Sequence, residues 1–325
     1  MTAECPSADV PAVQEVHAAA ERIGPWIHRT PVFTSRTLDE FSGASLFFKC
    51  ENLQRTGAFK FRGASNAVLC LDRDGAARGV VTHSSGNHAA GVALAARLRR
   101  IPAHVVMPAN ANPVKRAAVA GYGASVHTCE PTMQARRSCV EQIIAKTGAT
   151  LIHPYDDRNV IAGQGTATLE LLEQVDGLDT IVAPIGGGGM LSGACVVASS
   201  RAEPLRLIGA QPAGADDAAR SLAAGRIIVI DNPSTIADGL RAPICERTFA
   251  LLQRNAAAVI PVTEAQIIDA MRMVWERLKL IIEPSSAVTL AAVLREPDRF
   301  AGCRVGLILT GGNADIDNLP WQQSR

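Results

Sequence analysis

Charge of one sign is missing from this 325-residue sequence: its formal net charge is +1, and no basic run carries interleaved aromatics. Nothing therefore argues for a nucleic-acid partner. Long apolar runs are missing too. No stretch approaches the roughly 18 uninterrupted apolar residues of a spanning helix, so no membrane partner is expected. The opening MTAECPSADV has no basic segment followed by an apolar core. A secretory leader is not expected, and the cytoplasm is the expected compartment. The eight cysteines, at 5, 50, 70, 129, 139, 195, 245 and 303, form no CxxC pair and do not cluster with histidine. That excludes a zinc-type spacing and leaves small buried thiols in a reducing compartment. Low-complexity linkers and short-period repeats are absent as well.

What is present is an ordinary globular composition, 47% hydrophobic and 19% charged, in a chain long enough for one large or two modest domains. The pattern predicts a helix over 11–23, opened by Pro11 and closed by Gly24, then a strand over 45–50. Strands at 79–82, 103–107 and 125–129 then alternate with helices at 87–98, 113–120 and 132–146. In the second half, strands at 180–183, 205–210, 257–262 and 304–309 alternate with helices at 190–199, 216–223, 264–277 and 285–294. An irregular region, 227–246, carries Pro233 and Pro243, and the tail NLPWQQSR is expected to be loose. Strand–helix alternation implies right-handed crossovers and parallel sheets. The expected fold class is α/β: two lobes facing a cleft, with chemistry at the carboxyl ends of the strands.

The stretch ENLQRTGAFKFRGASNAV, 51–68, sets Lys60 between Phe59 and Phe61 behind the turn Thr56-Gly57-Ala58. Apolar neighbours disfavour the charged amine, which is what a Schiff-base lysine needs. A helix-start lysine with a buried stem and a hydrated head is the ordinary alternative. Gly186, Gly187, Gly188, Gly189 and Met190 follow a strand and open a helix. Successive unobstructed amides at a helix N-terminus make a cradle for a single phosphate. The spacing is neither GxGxxG nor GxxxxGK[ST]. Ser84, Ser85, Gly86, Asn87 and His88 also lie between strand and helix, where their donors suit a substrate carboxylate. Ordinary N-capping by Ser85 or Asn87 fits that loop equally well. Thr310-Gly311-Gly312-Asn313 closes another strand with a hydroxyl. Together, lysine, phosphate cradle and carboxylate loop specify pyridoxal 5′-phosphate acting on a small-molecule amino-acid substrate.

Over nearly its whole length the chain resembles the fold-type II pyridoxal-phosphate enzymes, the tryptophan synthase β-like group. These include serine racemase, serine/threonine dehydratase and 3-hydroxyaspartate ammonia-lyase. The resemblance is carried, in the family's order, by ENLQRTGAFKFRGA, HSSGNHAAG, HPYDDRNVIAGQGT, PIGGGGMLSG, TIADGL, LIIEPSSAV and LTGGNAD. It implies a large cofactor domain, 1–53 with 154–325, and a small domain, 54–153, with open twisted parallel sheets, helices on both faces, and the site between them. It further implies that Lys60 carries the cofactor, Phe59 flanks its ring, and Ser84 to His88 receive the substrate carboxylate, with Asn87 also near the ring. Gly186 to Met190 would hold the phosphate, while Gly239 and Glu283 line the cofactor. Thr310 would meet the ring nitrogen where relatives often have Ser or Cys.

The implied reaction is β-elimination from a β-hydroxy amino acid, with 3-hydroxyaspartate, serine and threonine as candidates in that order. The alternative is racemisation of serine or an aspartate-type acid, because Ser85 matches the serine that racemases place opposite the lysine. Tyr155 in HPYDD resembles the dehydratase form. Arg136 matches an arginine able to reach a distal carboxylate, although Arg136-Arg137 equally suits a solvated helix face. The family's divalent-cation site falls on Gln211, Ala215 and Asp217. Gln211 replaces a carboxylate there, which leaves Mg²⁺ or another divalent cation with one charged ligand fewer. No regulatory domain, and so no isoleucine feedback, is expected, and family habit suggests a homodimer.

Overall fold

The computed structural model describes residues 9–111 and 113–322. Its strands are, in chain order, β1 (Val32–Phe33), β2 (Ser45–Lys49), β3 (Val80–His83), β4 (Ala103–Pro108), β5 (Ser125–Cys129), β6 (Thr150–Leu151), β7 (Thr180–Pro184), β8 (Arg206–Pro212), β9 (Ala256–Val262) and β10 (Arg304–Ile308). They form a six-stranded sheet of order β1-β2-β10-β7-β8-β9 and a four-stranded sheet of order β5-β4-β3-β6. Neighbours are parallel except at one edge, where β1 runs antiparallel to β2 with Val32 opposite Lys49. The two-residue strands β1 and β6 are additions to the sequence reading.

Buried parallel strands are apolar on both faces, and β7 (TIVAP) is buried throughout. The two-residue period of the strand sorts its side chains. Val182 joins one core with Phe48, Leu307 and the helix Pro284–Arg295, while Ile181 and Ala183 join another with the helices Arg158–Gln174 and Gly189–Ala198. The smaller sheet does the same. Val80 and Val105 pack with Phe61 and Val92, whereas Val81 and Val106 pack with Val140 and Ile143.

The helix Arg158–Gln174 is not among the elements predicted from sequence. The structure shows what its glycines do. A Cβ on Gly163 would come within 2.6 Å of the Gly63 Cα, and one on Gly193 within 2.8 Å of the Gly165 Cα. They let three helices cross at backbone contact. Asp157 opens the helix by accepting from the Asn159 and Val160 amides at 2.8 and 3.0 Å. The segment read as irregular ends in another helix, Glu246–Asn255. The helix predicted over 264–277 is α-helical only to Met273 and then widens into a π turn, Val274–Leu278.

The tail is not loose throughout, because Trp321 sets its ring edge-on to Trp275 at 5.3 Å. Residues 323–325 lie outside the described residues, as do residues 1–8 of the opening segment. The thiols also differ from expectation. Cys50 and Cys195 are buried, Cys70 is exposed, and Cys129, Cys139, Cys245 and Cys303 lie between; Cys5 is not among the described residues. No helix among the described residues is long and apolar enough to cross a membrane.

Candidate active site

The turn before Lys60 is stitched to the end of β10. Ala58 and Gly311 form an antiparallel bridge, the Phe59 amide donates to the Thr310 carbonyl at 2.9 Å, and the Gly312 amide donates to the Gly57 carbonyl at 2.9 Å. Gly57 sits at φ +72, and Thr56 shares that left-handed region at φ 61. The helix Lys60–Cys70 starts at the lysine itself. Phe61 is wholly buried in the core of the smaller sheet, whereas Phe59 packs against a core of the larger one. Lys60 therefore emerges at the seam between the two sheets. Its Nζ donates to the Pro154 carbonyl at 2.8 Å and lies 5.0 Å from the Phe59 ring centre. Burial lowers this amine to about 8.

Two residues on, Arg62 is fully buried in a network that no local pattern announced. Nε donates to Glu51 Oε2 at 2.7 Å and Nη2 to Glu51 Oε1 at 2.8 Å, while Nη1 and Nη2 each reach Glu170 at 2.8 Å. Buried Lys49 completes it by donating to Thr30 O, Glu170 and Gln174, each at 2.8 Å. Two cations and two carboxylates balance, and they tie the lysine helix to β2 and to the helix Arg158–Gln174.

The glycine loop, Gly186 to Met190, is buried throughout and leads into the helix Gly189–Ala198. The first amides of a helix have no partner within it, which leaves those of this loop available to a ligand. Bare backbone is required here. A Cβ on Gly186 would meet the Leu240 Cα at 2.8 Å and the Gly239 carbonyl at 3.0 Å, and one on Gly187 would strike the Tyr155 ring. Gly239 is thus brought to the cradle wall, and its amide donates to Ser285 Oγ at 3.1 Å. Tyr155, read as a substrate residue, lies against the cradle. Its ring meets His153 edge-on at 4.7 Å, and burial pushes its phenol up to about 12.

Thr310 is buried with its hydroxyl 3.2 Å from Ser286 Oγ, and Ser286 also donates to the Gly311 carbonyl and accepts from the Gly311 amide, both at 2.7 Å. Glu283 donates its backbone amide to the same carbonyl at 3.0 Å. Its carboxyl is pushed up to about 7, chiefly by burial and then by Asp238. Asn87 spans the seam: Nδ2 donates to Glu283 Oε1, and Oδ1 accepts from Asn313 Nδ2, both at 2.8 Å. Ser285, Ser286, Asn313 and the Pro154 carbonyl were missed from sequence. The paired serines of EPSSAV were the available signal for the first two.

In the loop Ser84 to His88, Ser84 Oγ accepts from the Gly86 amide at 3.3 Å, and Ser85 is half-buried. The ring of His88 is already engaged outside the loop. The ring is buried against β6, and Nε2 meets the Ile152 carbonyl at 3.0 Å, which makes that nitrogen the donor. Burial holds His88 well below the usual histidine range. Its Nδ1 is enclosed without a partner among the described residues, and its first-turn backbone amide remains for the loop.

Arg136 and Arg137 separate. Arg137 is exposed, while Arg136 is half-buried with its Nε enclosed and unpartnered among the described residues. Arg136 acts on His83 at the end of β3; burial first, and then this charge, lowers that imidazole. His83 in turn meets His153 edge-on at 5.4 Å.

A family model described as pyridoxal-phosphate dependent enzyme matches residues 23–311. The β-hydroxyaspartate dehydratase of Paracoccus denitrificans (strain Pd 1222) is 52% identical over 312 residues, covering 96% of this chain and 99% of that protein. The L-threo-3-hydroxyaspartate ammonia-lyase of a Pseudomonas species is 45% identical over 304 residues, covering 93% and 95%. The crystal structure of serine racemase from Dictyostelium discoideum superposes with a TM-score of 0.91 at 48% identity, covering 94% of this chain and 99% of that one. The chain belongs to the pyridoxal-phosphate-dependent enzyme family.

Its cofactor is pyridoxal phosphate, and the residues present fit that group. A buried cradle of amides free of Cβ atoms, an amine lowered to about 8, and a buried hydroxyl at Thr310 lie around one seam. The divalent cation that accompanies the family resemblance fits less well. Gln211 is buried and donates Nε2 to Asp217 Oδ1 at 2.9 Å, and Ala215 lies in the intervening 3₁₀ turn. Among the described residues no group of three or more His, Cys, Asp or Glu is placed to hold a metal.

Proposed function

We propose that this enzyme dehydrates and deaminates a β-hydroxy amino acid, giving a 2-oxo acid and ammonia. The observation that carries the reading is the seam itself. A lysine amine lowered to about 8 is held on the carbonyl of Pro154, whose neighbour Tyr155 lies with its ring against the buried glycine loop. The seam is taken as the boundary between a small lobe, 54–153, and a large lobe formed by 1–53 with 154–325.

When bound, pyridoxal phosphate supplies an aldehyde for amines and a conjugated ring that takes up electron density from the substrate's Cα. Lys60 would carry it beside Phe59, with Gly186 to Met190 holding the phosphate, Gly239 and Tyr155 walling the cradle, and Glu283 and Asn87 along the ring. Thr310, kept in place by Ser286, would offer the ring nitrogen an uncharged hydroxyl. Ser84, Ser85, Asn87 and the His88 amide would receive the substrate carboxylate at their helix N-terminus. Lys60 Nζ, released when the substrate amine takes its place, would accept the Cα proton and return it to the departing β-hydroxyl, which leaves as water. One water lost and one regained leave 2-oxo acid and ammonia as the net products.

3-Hydroxyaspartate is the preferred candidate, because its second carboxylate would engage the half-buried Arg136, whose Nε has no partner among the described residues. The two hydroxyaspartate-acting relatives support the same choice. The test is to incubate the holoenzyme with each stereoisomer of 3-hydroxyaspartate, serine and threonine, and to measure 2-oxo acid and ammonia. Arg136→Ala should raise KM for 3-hydroxyaspartate about 10- to 100-fold, the worth of a charged hydrogen bond, and spare serine. An equal loss for both substrates would remove Arg136 from the pocket.

Racemisation is the second reading, favoured by the place of Ser85 in the carboxylate loop and by the likeness to a serine racemase. Chiral analysis of recovered substrate distinguishes it; Ser85→Ala should stop inversion and leave elimination running. A homodimer in the cytoplasm is the assembly and compartment we adopt from family habit, and light scattering reads the mass directly.

A further inference from the structure

The junction between β8 and the helix Asp217–Ala224 is closed by an amide rather than by charge alone. Gln211, wholly buried at the end of β8, accepts the Ala219 backbone amide on Oε1 at 3.2 Å. A backbone N–H can only donate, so this contact decides which end of the side chain is nitrogen. Nε2 then donates to Asp217 Oδ1 at 2.9 Å, and Asp217 Oδ2 accepts the Ile244 amide at 3.1 Å. One carboxylate thereby joins β8 to the segment that opens the helix Glu246–Asn255. Thr248 of that helix backs the phosphate cradle, at 3.0 Å from where a Gly188 Cβ would stand. In the turn between Gln211 and Asp217, the Gly214 carbonyl accepts the Ser234 amide at 3.0 Å and fixes the start of the segment running to Gly239.

We infer that Gln211 does with a neutral donor what a divalent cation would do for two facing carboxylates, so that the fold and its hold on the cofactor need no such ion. Two buried carboxylates in this place would repel and call for a counter-charge. With glutamine, the dipole alone bridges the gap. An entering cation would have to displace Nε2 and would find a single formal negative charge, a poor exchange for a hard ion that prefers six or more oxygens.

The test compares thermal unfolding, retained cofactor absorbance and bound metal for the holoenzyme in chelator, Mg²⁺, Mn²⁺ and Ca²⁺. The unsubstituted protein should shift by less than about 1 °C among these conditions and hold only sub-stoichiometric metal. Gln211→Glu should melt several degrees lower in chelator and recover when Mg²⁺ or Mn²⁺ is added. Gln211→Ala should melt lower and recover with none. Saturable stabilisation of the unsubstituted protein by a divalent ion, or one ion retained per chain, overturns the inference. So does a Gln211→Glu protein that is as stable in chelator as the original. These readouts do not depend on which amino acid is the substrate.

Discussion

Lys60 and Arg62 stand two residues apart on one helix, the first half-buried and the second wholly buried, and they end in opposite electrical conditions. Lys60 has one carbonyl for company, and burial brings its amine down to about 8. For Arg62 burial also works against the charge, but Glu51 and Glu170 outweigh it, and the guanidinium is held more firmly protonated than in water. Desolvation is common to both; the partners differ. A reactive group is made by withholding counter-charges, and an anchor is made by supplying them.

The contrast breaks most sharply at the lysine. Lys60→Ala should abolish the visible absorbance of covalently attached cofactor and lower turnover by about 10³-fold or more, read by spectrum and 2-oxo acid release. Normal turnover would put the reactive amine elsewhere. At the anchor, Arg62→Met leaves buried Glu51 and half-buried Glu170 short of a partner, and equilibrium denaturation should show a loss of about 3–5 kcal/mol. The absorbance should survive in the fraction that folds. A protein of unchanged stability would mean that the network is ornamental.

Glu283 gives the smallest and most pH-dependent effect. Its folded value, about 7, lies above the ordinary 4.5, so the folded chain holds the proton more tightly than the unfolded one. The stabilisation is complete below pH 4.5 and is lost as pH rises through about 7. It amounts to at most about 3 kcal/mol. Glu283→Gln should flatten that decline, as melting profiles at pH 5 and pH 8 will show; an identical slope in both proteins would clear Glu283 of the effect.

Much of this site was legible without coordinates because its parts are local. The apolar strand runs, the glycine loop, and Lys60 between two phenylalanines each announce themselves within a few residues. The missing parts are made by distance. Arg62 meets Glu170 across 108 residues and Asn87 meets Glu283 across 196, and neither pair leaves a periodic trace. The helix Arg158–Gln174 was hidden for another reason. Gly163 and Gly165 lower helix propensity in isolation, and the crossings with Gly63 and Gly193 that require them become visible only in three dimensions. The engagement of the His88 ring with the Ile152 carbonyl, 64 residues on, is likewise invisible in the loop's own sequence.

The insertion of β10 between β2 and β7 also sets a schedule for the molecule. Lys60 leaves the ribosome early, yet the bridge from Ala58 to Gly311 cannot form until some 250 further residues have been added. Whatever chemistry depends on that bridge is consequently assembled only after Gly311 has joined the chain, so order at this seam comes late in synthesis.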